Sequence, residues 1–166
     1  MKYFLVGFMG SGKSTIGKLL SEKLNIKYFD LDDVIQKQEN KSISEIFSIK
    51  GEGYFRILEK KYLKKLMIKD QFIISTGGGT PIHNNMIDLM QKNGRCIYLK
   101  CSIKILFNRL KKNKNKRPLI SNLSEEKLKI FIEKKLSERK IFYEKSEHIF
   151  FNNTEKDKIK IINCLG

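Results

Sequence analysis

The chain has 166 residues, of which 40% are hydrophobic and 31% charged; this composition is typical of one folded domain, here expected over residues 1–166, and it excludes an intrinsically disordered chain. No apolar run is long enough to span a bilayer, and the net charge of +16 comes mostly from 29 lysines scattered along the chain, beside five arginines. The densest basic run, residues 111–117, contains no aromatic residue on which bases could stack, so we expect no nucleic-acid or membrane partner and expect the charge to attract anionic substrates.

Predicted strands and helices alternate along the chain. Strands are predicted at residues 3–6, 27–29, 72–74, 95–99 and 148–151. Helices are predicted at residues 13–24, from residue 42 with a break at 51–53, at 84–92, 102–112 and 124–145, and at the C-terminus. This order predicts a three-layer α/β/α fold around a five-stranded parallel sheet, in which ligands bind at the carboxyl ends of the strands.

The first predicted strand and the cysteines indicate a cytoplasmic protein. The apolar start of the chain breaks at Gly7 and continues into a glycine-rich loop, where a signal peptide would have a cleavage site. Three cysteines, Cys96, Cys101 and Cys164, are an odd number and lack C-x-x-C spacing, which argues against a disulfide framework and against a zinc site.

The loop after the first strand carries the strongest motif. Residues 7–14 read GFMGSGKS and match G-x-x-x-x-G-K-[ST] in full, with a strand predicted before them and a helix after. In such a loop, backbone N–H groups surround phosphate oxygens, the lysine reaches the β- and γ-phosphates, and the hydroxyl ligates Mg²⁺. The motif therefore predicts that the loop binds nucleotide phosphates through Lys13, with Mg²⁺ as cofactor at Ser14; the family resemblance described below implies that the nucleotide is ATP, bound by Gly10, Ser11, Gly12, Lys13, Ser14 and Thr15.

The motif alone does not identify the phosphate acceptor. GTPases and motor ATPases share it, but the chain has no N-K-x-D motif for guanine and is short for an ATPase machine. We therefore expect a compact small-molecule kinase.

Acidic residues and glycines follow the second and third strands. Asp30, Asp32 and Asp33 could hold Mg²⁺ through water or orient a substrate hydroxyl, and the alternative is a helix cap, chiefly for Asp33. The glycines at 77–79 let a ligand approach the backbone, or they form a plain turn between strand and helix.

The arginines are informative because this chain otherwise uses lysine. An arginine is kept where a planar, two-pronged donor is required. The alternatives are ordinary surface roles: Arg56 paired with Glu59 on a helix face, and Arg139 as one more solvated cation.

Taken together, these motifs resemble the shikimate kinase family over essentially the whole chain. The resemblance rests on GFMGSGKST, D-x-D after the second strand, G-E-x-x-F-R-x-x-E, G-G-G, R-P-L, and an Arg just before a Tyr near the end of a helix. It implies a P-loop fold like that of nucleoside monophosphate kinases. A mobile lid is implied at about residues 112–123, and a substrate-binding helical region at about residues 32–62.

The resemblance also implies a reaction and a set of roles. ATP would phosphorylate the 3-hydroxyl of shikimate, giving ADP and shikimate 3-phosphate, a step towards chorismate and the aromatic amino acids. Asp32 would be the base or orienting acceptor, and Arg56 and Arg139 would bind the carboxylate, with Glu59 holding Arg56. The remaining substrate-binding residues would be Gly77, Gly78 and Gly79.

On the nucleotide side, the resemblance implies that Asp30 belongs to the water shell of Mg²⁺ and that Arg117 closes on the γ-phosphate from the lid. Arg109 would stack on adenine, with surface solvation as the alternative. The loop at residues 152–157 departs from the family pattern because it has neither the proline nor the arginine often found beside adenine.

Two rival functions remain at this stage, a gluconate or nucleotide kinase and a basic nucleic-acid-binding module. His83 and His148 lie near no motif in the sequence, so we expect ordinary surface or partly buried histidines. With no long exposed apolar face predicted, we expect a monomer.

Overall fold

A computed structural model of the protein describes residues 1–114, 117 and 119–166. Within these residues, five strands form one parallel sheet in the order β2-β3-β1-β4-β5. The strands are β1 (Lys2–Val6), β2 (Tyr28–Asp30), β3 (Phe72–Ser75), β4 (Arg95–Lys100) and β5 (His148–Phe151). The five-stranded parallel sheet predicted from the sequence is confirmed, with strand ends shifted by one residue at most.

Helices cover both faces of this sheet. They are α1 (Lys13–Leu24), α2 (Leu31–Glu39), α3 (Ile43–Met67), α4 (Met86–Asn93), α5 (Ile103–Lys112), α6 (Glu125–Tyr143) and α7 (Glu155–Leu165), with a 3₁₀ turn at Thr80–Ile82. The sequence pattern did not predict α2 as a separate helix. No helix in the described ranges is long and apolar enough to cross a membrane.

Side chains of the central strand alternate between two cores. Phe4 and Val6 point into a large core with residues of α2 to α6, whereas Tyr3 and Leu5 point into a smaller core with α1 and α7. Phe4 lies opposite Ile74 of β3 and Cys96 of β4. Because β1 is buried on both faces, as central strands of parallel sheets are, it reads as an unbroken apolar run in the sequence.

Local signals set where several helices begin. Ser42 and Glu45 form the predicted capping box, in which each side chain accepts a hydrogen bond from the other residue's backbone N–H. Ser102 and Ser124 also cap, so α5 and α6 begin one residue after the predicted start. Gly51 interrupts α3 with a φ of 78°, a value that favours glycine, and this confirms the predicted break.

Replacing Phe4 by alanine tests the central position of β1. Phe4 is fully buried, so Phe4→Ala should lower the free energy of unfolding in urea by about 3–5 kcal/mol. Phe151 on the edge strand β5 is 59% exposed and provides the matched control, with an expected loss of about 0.5 kcal/mol. Equal losses for the two variants would contradict the assignment of the core.

Candidate active site

The glycine-rich loop between β1 and α1 has the backbone shape that its motif predicts. Gly10 and Gly12 have φ values of 80° and 89°, in the left-handed region. Gly12 also lies so close to the loop after β5 that a Cβ on it would lie 2.6 Å from Nδ2 of Asn152. The same Nδ2 donates a hydrogen bond to the Ser11 carbonyl at 2.7 Å, so a residue 141 positions away supports the loop.

Lys13 folds its side chain back over this loop. Its Nζ donates hydrogen bonds to the carbonyls of Gly7 and Phe8, at 2.8 and 3.0 Å. Burial lowers the pKa of the ammonium to about 8, although the negative charges of Asp30 and Asp32 oppose this shift. The ammonium therefore lies at the loop, in the electrostatic field of Asp30 at the end of β2 and of Asp32 at the start of α2.

Asp30 links the glycine-rich loop to the start of α2. Its Oδ2 accepts hydrogen bonds from Ser14 Oγ at 3.0 Å and from the Tyr28 hydroxyl at 3.1 Å, and its Oδ1 accepts one from the backbone N–H of Asp32. The last bond makes Asp30 the N-cap of α2. From the sequence, a helix cap is the alternative role for these aspartates, and it is expected chiefly for Asp33. Asp33 is exposed in the first turn.

The Ser14–Asp30 pair fits a magnesium ion. Mg²⁺ prefers oxygen ligands, keeps several waters and uses few protein groups when phosphates complete its shell. Ser14 and Asp30 supply one hydroxyl and one carboxylate within hydrogen-bonding distance of each other. They lie at the glycine-rich loop of residues 7–14, called the phosphate loop below. Across residues 1–114, 117 and 119–166, no group of three or more His, Cys, Asp or Glu side chains forms a metal cage.

Glycines 77–79 make close contact with three of the predicted site residues. A Cβ on Gly77 would lie 3.3 Å from Asp32 Oδ1, one on Gly78 3.2 Å from an Arg139 Nη, and one on Gly79 2.6 Å from an Arg56 Nη. A Cβ on Gly78 would also lie 3.5 Å from the backbone nitrogen of Met9 in the phosphate loop. Asp32, Arg56 and Arg139 thus lie around one stretch of backbone without side chains, beside the glycine-rich loop. This arrangement favours approach of a ligand to the backbone over a plain turn between strand and helix.

Arg56 is held by a buried acid, Glu59, in addition to an exposed one, Glu52. Its Nη1 donates to Glu59 Oε2 at 2.6 Å, and the two side chains are only 14% and 2% exposed. Glu59 Oε1 in turn accepts a hydrogen bond from the Thr80 hydroxyl. The surface-pair alternative for Arg56 is therefore wrong, because the carboxylate that orients the guanidinium lies inside the protein.

Asp32 carries a carboxylate whose charge is poorly compensated. Its Oδ1 is buried and has no hydrogen-bond partner among the described residues. Burial raises its pKa from the ordinary value of 3.8 to about 6, with repulsion from Asp30 and Glu59 adding to the rise and attraction by Lys13 and Arg56 opposing it. At neutral pH the group is mostly ionised yet more basic than a surface aspartate.

Arg139 and Arg117 complete the positive side of the cluster. The Arg139 guanidinium lies 5.6 Å from the centre of the Phe8 ring, and Tyr143, one turn later on α6, donates its hydroxyl proton to the Gly78 carbonyl at 2.5 Å. Burial lowers the pKa of Arg117, and the negative charge of Asp32 opposes this shift. Part of the expected lid (residues 115, 116 and 118, the last in the R-P-L motif) lies outside the described residues.

Arg109 braces the phosphate loop from α5. Its Nη1 donates to the Gly10 carbonyl at 3.2 Å, and its Nη2 donates to the Asn152 carbonyl at 2.9 Å. The alternative that Arg109 is only a solvated surface side chain is therefore wrong. Its stacking on adenine stays a prediction.

Sequence reasoning missed several residues at this site. Glu52 bonds to Arg56, and the partly buried His83 predicted from the sequence is confirmed, with its Nε2 3.8 Å from a Glu52 oxygen. Glu52 could have been found from its spacing of four before Arg56 on a helix. His83 gave no signal, because only the turn after glycines 77–79 brings it there.

Comparison with known proteins identifies what this arrangement resembles. Residues 9–165 match the family model described as shikimate kinase. A shikimate kinase of Flavobacterium johnsoniae is 47% identical over 149 residues, covering 89% of this chain and 87% of the relative. The crystal structure of shikimate kinase from Bacteroides thetaiotaomicron superposes with a TM-score of 0.94 at 32% identity, over 99% of this chain and 96% of that one.

A further solved structure is shikimate kinase from Acinetobacter baumannii in complex with shikimate. It superposes with a TM-score of 0.87 at 28% identity and covers 99% of this chain and 90% of that one. Both structural matches therefore include the sheet, the glycine-rich loop and the helices that carry the clustered arginines.

The pKa of Asp32 predicts how its removal changes stability with pH. The folded protein holds the proton more tightly than the unfolded chain, so Asp32 makes the fold less stable as pH rises from about 4 to about 6. Asp32→Asn lacks this titration. Its free energy of unfolding in urea should therefore increase relative to the original protein between pH 4 and pH 7, and then level off. A difference that is constant or shrinks with pH would contradict the pKa assignment.

Proposed function

The chain belongs to the shikimate kinase family, and we propose how its residues carry out ATP-dependent phosphorylation of the 3-hydroxyl of shikimate, giving shikimate 3-phosphate and ADP. The observation that carries this proposal is the meeting of Asp32, Arg56 and Arg139 around glycines 77–79, within van der Waals reach of the phosphate loop. A phosphate-binding loop and a pocket for a hydroxylated acid are thereby adjacent, as direct transfer requires.

On the nucleotide side, we propose that the backbone of residues 10–15 binds the ATP phosphates at the positive end of α1. Lys13 would leave the carbonyls of Gly7 and Phe8 for the β- and γ-phosphates, which are stronger, charged acceptors. Arg109 already contacts the loop carbonyl of Gly10, and its aliphatic stem and guanidinium face would lie along the adenine.

On the acceptor side, we propose that Arg56 and Arg139 bind the carboxylate of shikimate and that Asp32 accepts a hydrogen bond from its ring hydroxyls. The unpartnered Oδ1 of Asp32 supports this role, because a buried acceptor without a donor is costly and a substrate hydroxyl would satisfy it. Glycines 77–79 support it as well, since any larger residue would fill the space beside the three side chains.

In the transfer step, Asp32 would orient the 3-hydroxyl and take its proton as the oxygen attacks the γ-phosphorus in line. A raised pKa suits this task, because a base works best when its pKa approaches the operating pH. Lys13 and Arg117 would stabilise the negative charge on the transferring group. Closure of residues 112–123 over the nucleotide would exclude water, which otherwise would hydrolyse ATP.

Mg²⁺ is the proposed cofactor, held by the Ser14 hydroxyl directly and by Asp30 through water. When bound, it supplies positive charge to the phosphate oxygens of ATP. Tyr28 holds the Asp30 carboxylate in place for this role.

The wider setting belongs to the same proposal. We propose that residues 1–166 work as one catalytic domain and as a monomer, with ATP and shikimate as partners and no nucleic acid. A cytoplasmic location follows from the need for ATP, and it agrees with the three free cysteines, of which Cys96 and Cys101 are buried.

A substrate panel tests the reaction. ADP release should depend on shikimate and Mg²⁺ and should be absent with gluconate or nucleoside monophosphates. Asp32→Asn should lower turnover by about 10²- to 10⁴-fold through loss of the base. Asp33→Asn, which changes the neighbouring exposed carboxylate, should retain turnover. Release with gluconate or a nucleotide alone, or full activity of Asp32→Asn, would overturn the proposal.

Gly79→Ala tests the acceptor pocket separately from the chemistry. Gly79 has a φ of −93°, which alanine adopts freely, but the new methyl group would lie 2.6 Å from an Arg56 nitrogen and displace the guanidinium. The KM for shikimate should rise about tenfold or more, as expected when a charge-assisted contact worth about 1.5 kcal/mol is lost, while the KM for ATP stays the same. Gly53→Ala, whose methyl group meets no atom within 4 Å, is the matched control. An unchanged KM for shikimate would remove Arg56 from the pocket.

A further inference from the structure

The outer edge of the Arg56 guanidinium is already occupied by a carboxylate of the protein itself. Nε and Nη2, the flat two-donor edge that suits a carboxylate, both donate to Glu52 Oε1, at 3.2 and 2.7 Å. Nη1 on the other side donates to Glu59. An acid that enters the pocket from solvent therefore meets Arg56 with Glu52 bound to it.

Glu52 and Glu59 differ in how firmly they are held. Glu59 is 2% exposed and also accepts a hydrogen bond from Thr80, so it is a fixed support beneath Arg56. Glu52 is 56% exposed and lies on the solvent side. Hydrogen bonds from Arg56 lower the pKa of Glu52, the positive charges of Arg56 and Arg139 lower it further, and partial burial opposes this shift. Glu52 thus sits in the field of the two arginines proposed to bind the substrate.

The backbone on either side of Glu52 is flanked by open space. Gly51 and Gly53 flank it, and Gly51 interrupts the helix with φ and ψ of 78° and 172°. A methyl group added to either glycine would meet no atom within 4 Å. Moving the Glu52 side chain away from Arg56 therefore costs its contacts with Arg56 and His83, with open space beside both flanking glycines.

We infer that Glu52 is an internal competitor for the carboxylate subsite, which the substrate must displace from Arg56. The inference rests on the proposed role of Arg56 in binding shikimate. The substrate carboxylate can displace Glu52 because it can offer a separate oxygen to each of the two Arg56 donors, whereas Glu52 offers one oxygen to both. Shikimate gains further bonds through its hydroxyls, while a small anion such as acetate only exchanges one carboxylate for another. Glu52 thereby sets the affinity for acids and keeps small anions off the arginine.

Two substitutions of Glu52 test this competition by calorimetry with shikimate. Glu52→Gln removes the charge, and Glu52→Asp keeps the charge but shortens the side chain by one methylene, so it no longer reaches the same edge of Arg56. Both should bind shikimate about two- to fivefold more tightly, the factor expected for loss of an exposed ion pair. The neutral methyl ester of shikimate should bind all three proteins equally, because it brings no carboxylate to Arg56.

The controls separate this inference from the proposed function. Glu22→Gln, an exposed charge change on α1, should leave shikimate binding unchanged, and melting temperatures should show that all variants are folded. Weaker or unchanged binding by Glu52→Gln would overturn the inference, because Glu52 would then be a support for Arg56 or without effect. Tighter binding by Glu52→Gln alone, or an equal gain for the ester, would also overturn it. If the original protein neither binds nor phosphorylates shikimate, the proposed function fails as well.

Discussion

The close approach of backbone at residues 77–79 to charged side chains is the constraint on which the rest of the site depends. One carboxylate and two guanidinium groups lie against three consecutive residues without a Cβ, and a Cβ on Gly79 would clash with the Arg56 guanidinium at 2.6 Å. The segment leaves β3, one neighbour of the central strand, and β1 leads into the phosphate loop beside it. The parallel sheet therefore brings the acceptor pocket and the phosphate loop to the same edge, and the glycines keep the space between them open.

Charge balance gives this space its chemistry. Asp30, Asp32 and Glu59 oppose Lys13, Arg56, Arg117 and Arg139, but the pairing is uneven. Glu59 is fully used by Arg56 and Thr80, whereas Asp32 keeps one buried oxygen without a partner. Burial raises the pKa of Asp32 and lowers that of Lys13. Both groups are held in arrangements that cost stability in the protein alone and are suited to charged ligands, a common trade between stability and function.

Much of the fold and of the site could be predicted from the sequence because the signals were local. The glycine-rich loop, the capping box at Ser42 and the apolar run of β1 each specify their own structure within a few residues. The short helix α2 was missed because its cap, Asp30, was interpreted mainly as a metal or substrate ligand and it serves the backbone as well. The contacts of His83 and Asn152 could not be predicted, since they depend on turns that join distant segments.

The bracing of the phosphate loop by Arg109 and Asn152 has a consequence for how tightly nucleotide can be bound. Arg109 and Asn152, which follow β4 and β5 in the chain, hold the carbonyls of Gly10 and Ser11. The Cys101 sulfur contacts the Asn152 carbonyl, just after the end of β5. The conformational entropy of a loop rich in glycine is thus lost when the protein folds, and not again when ATP arrives. In this chain, the preorganisation of the phosphate loop depends on Arg109 and Asn152 as much as on the glycine motif itself.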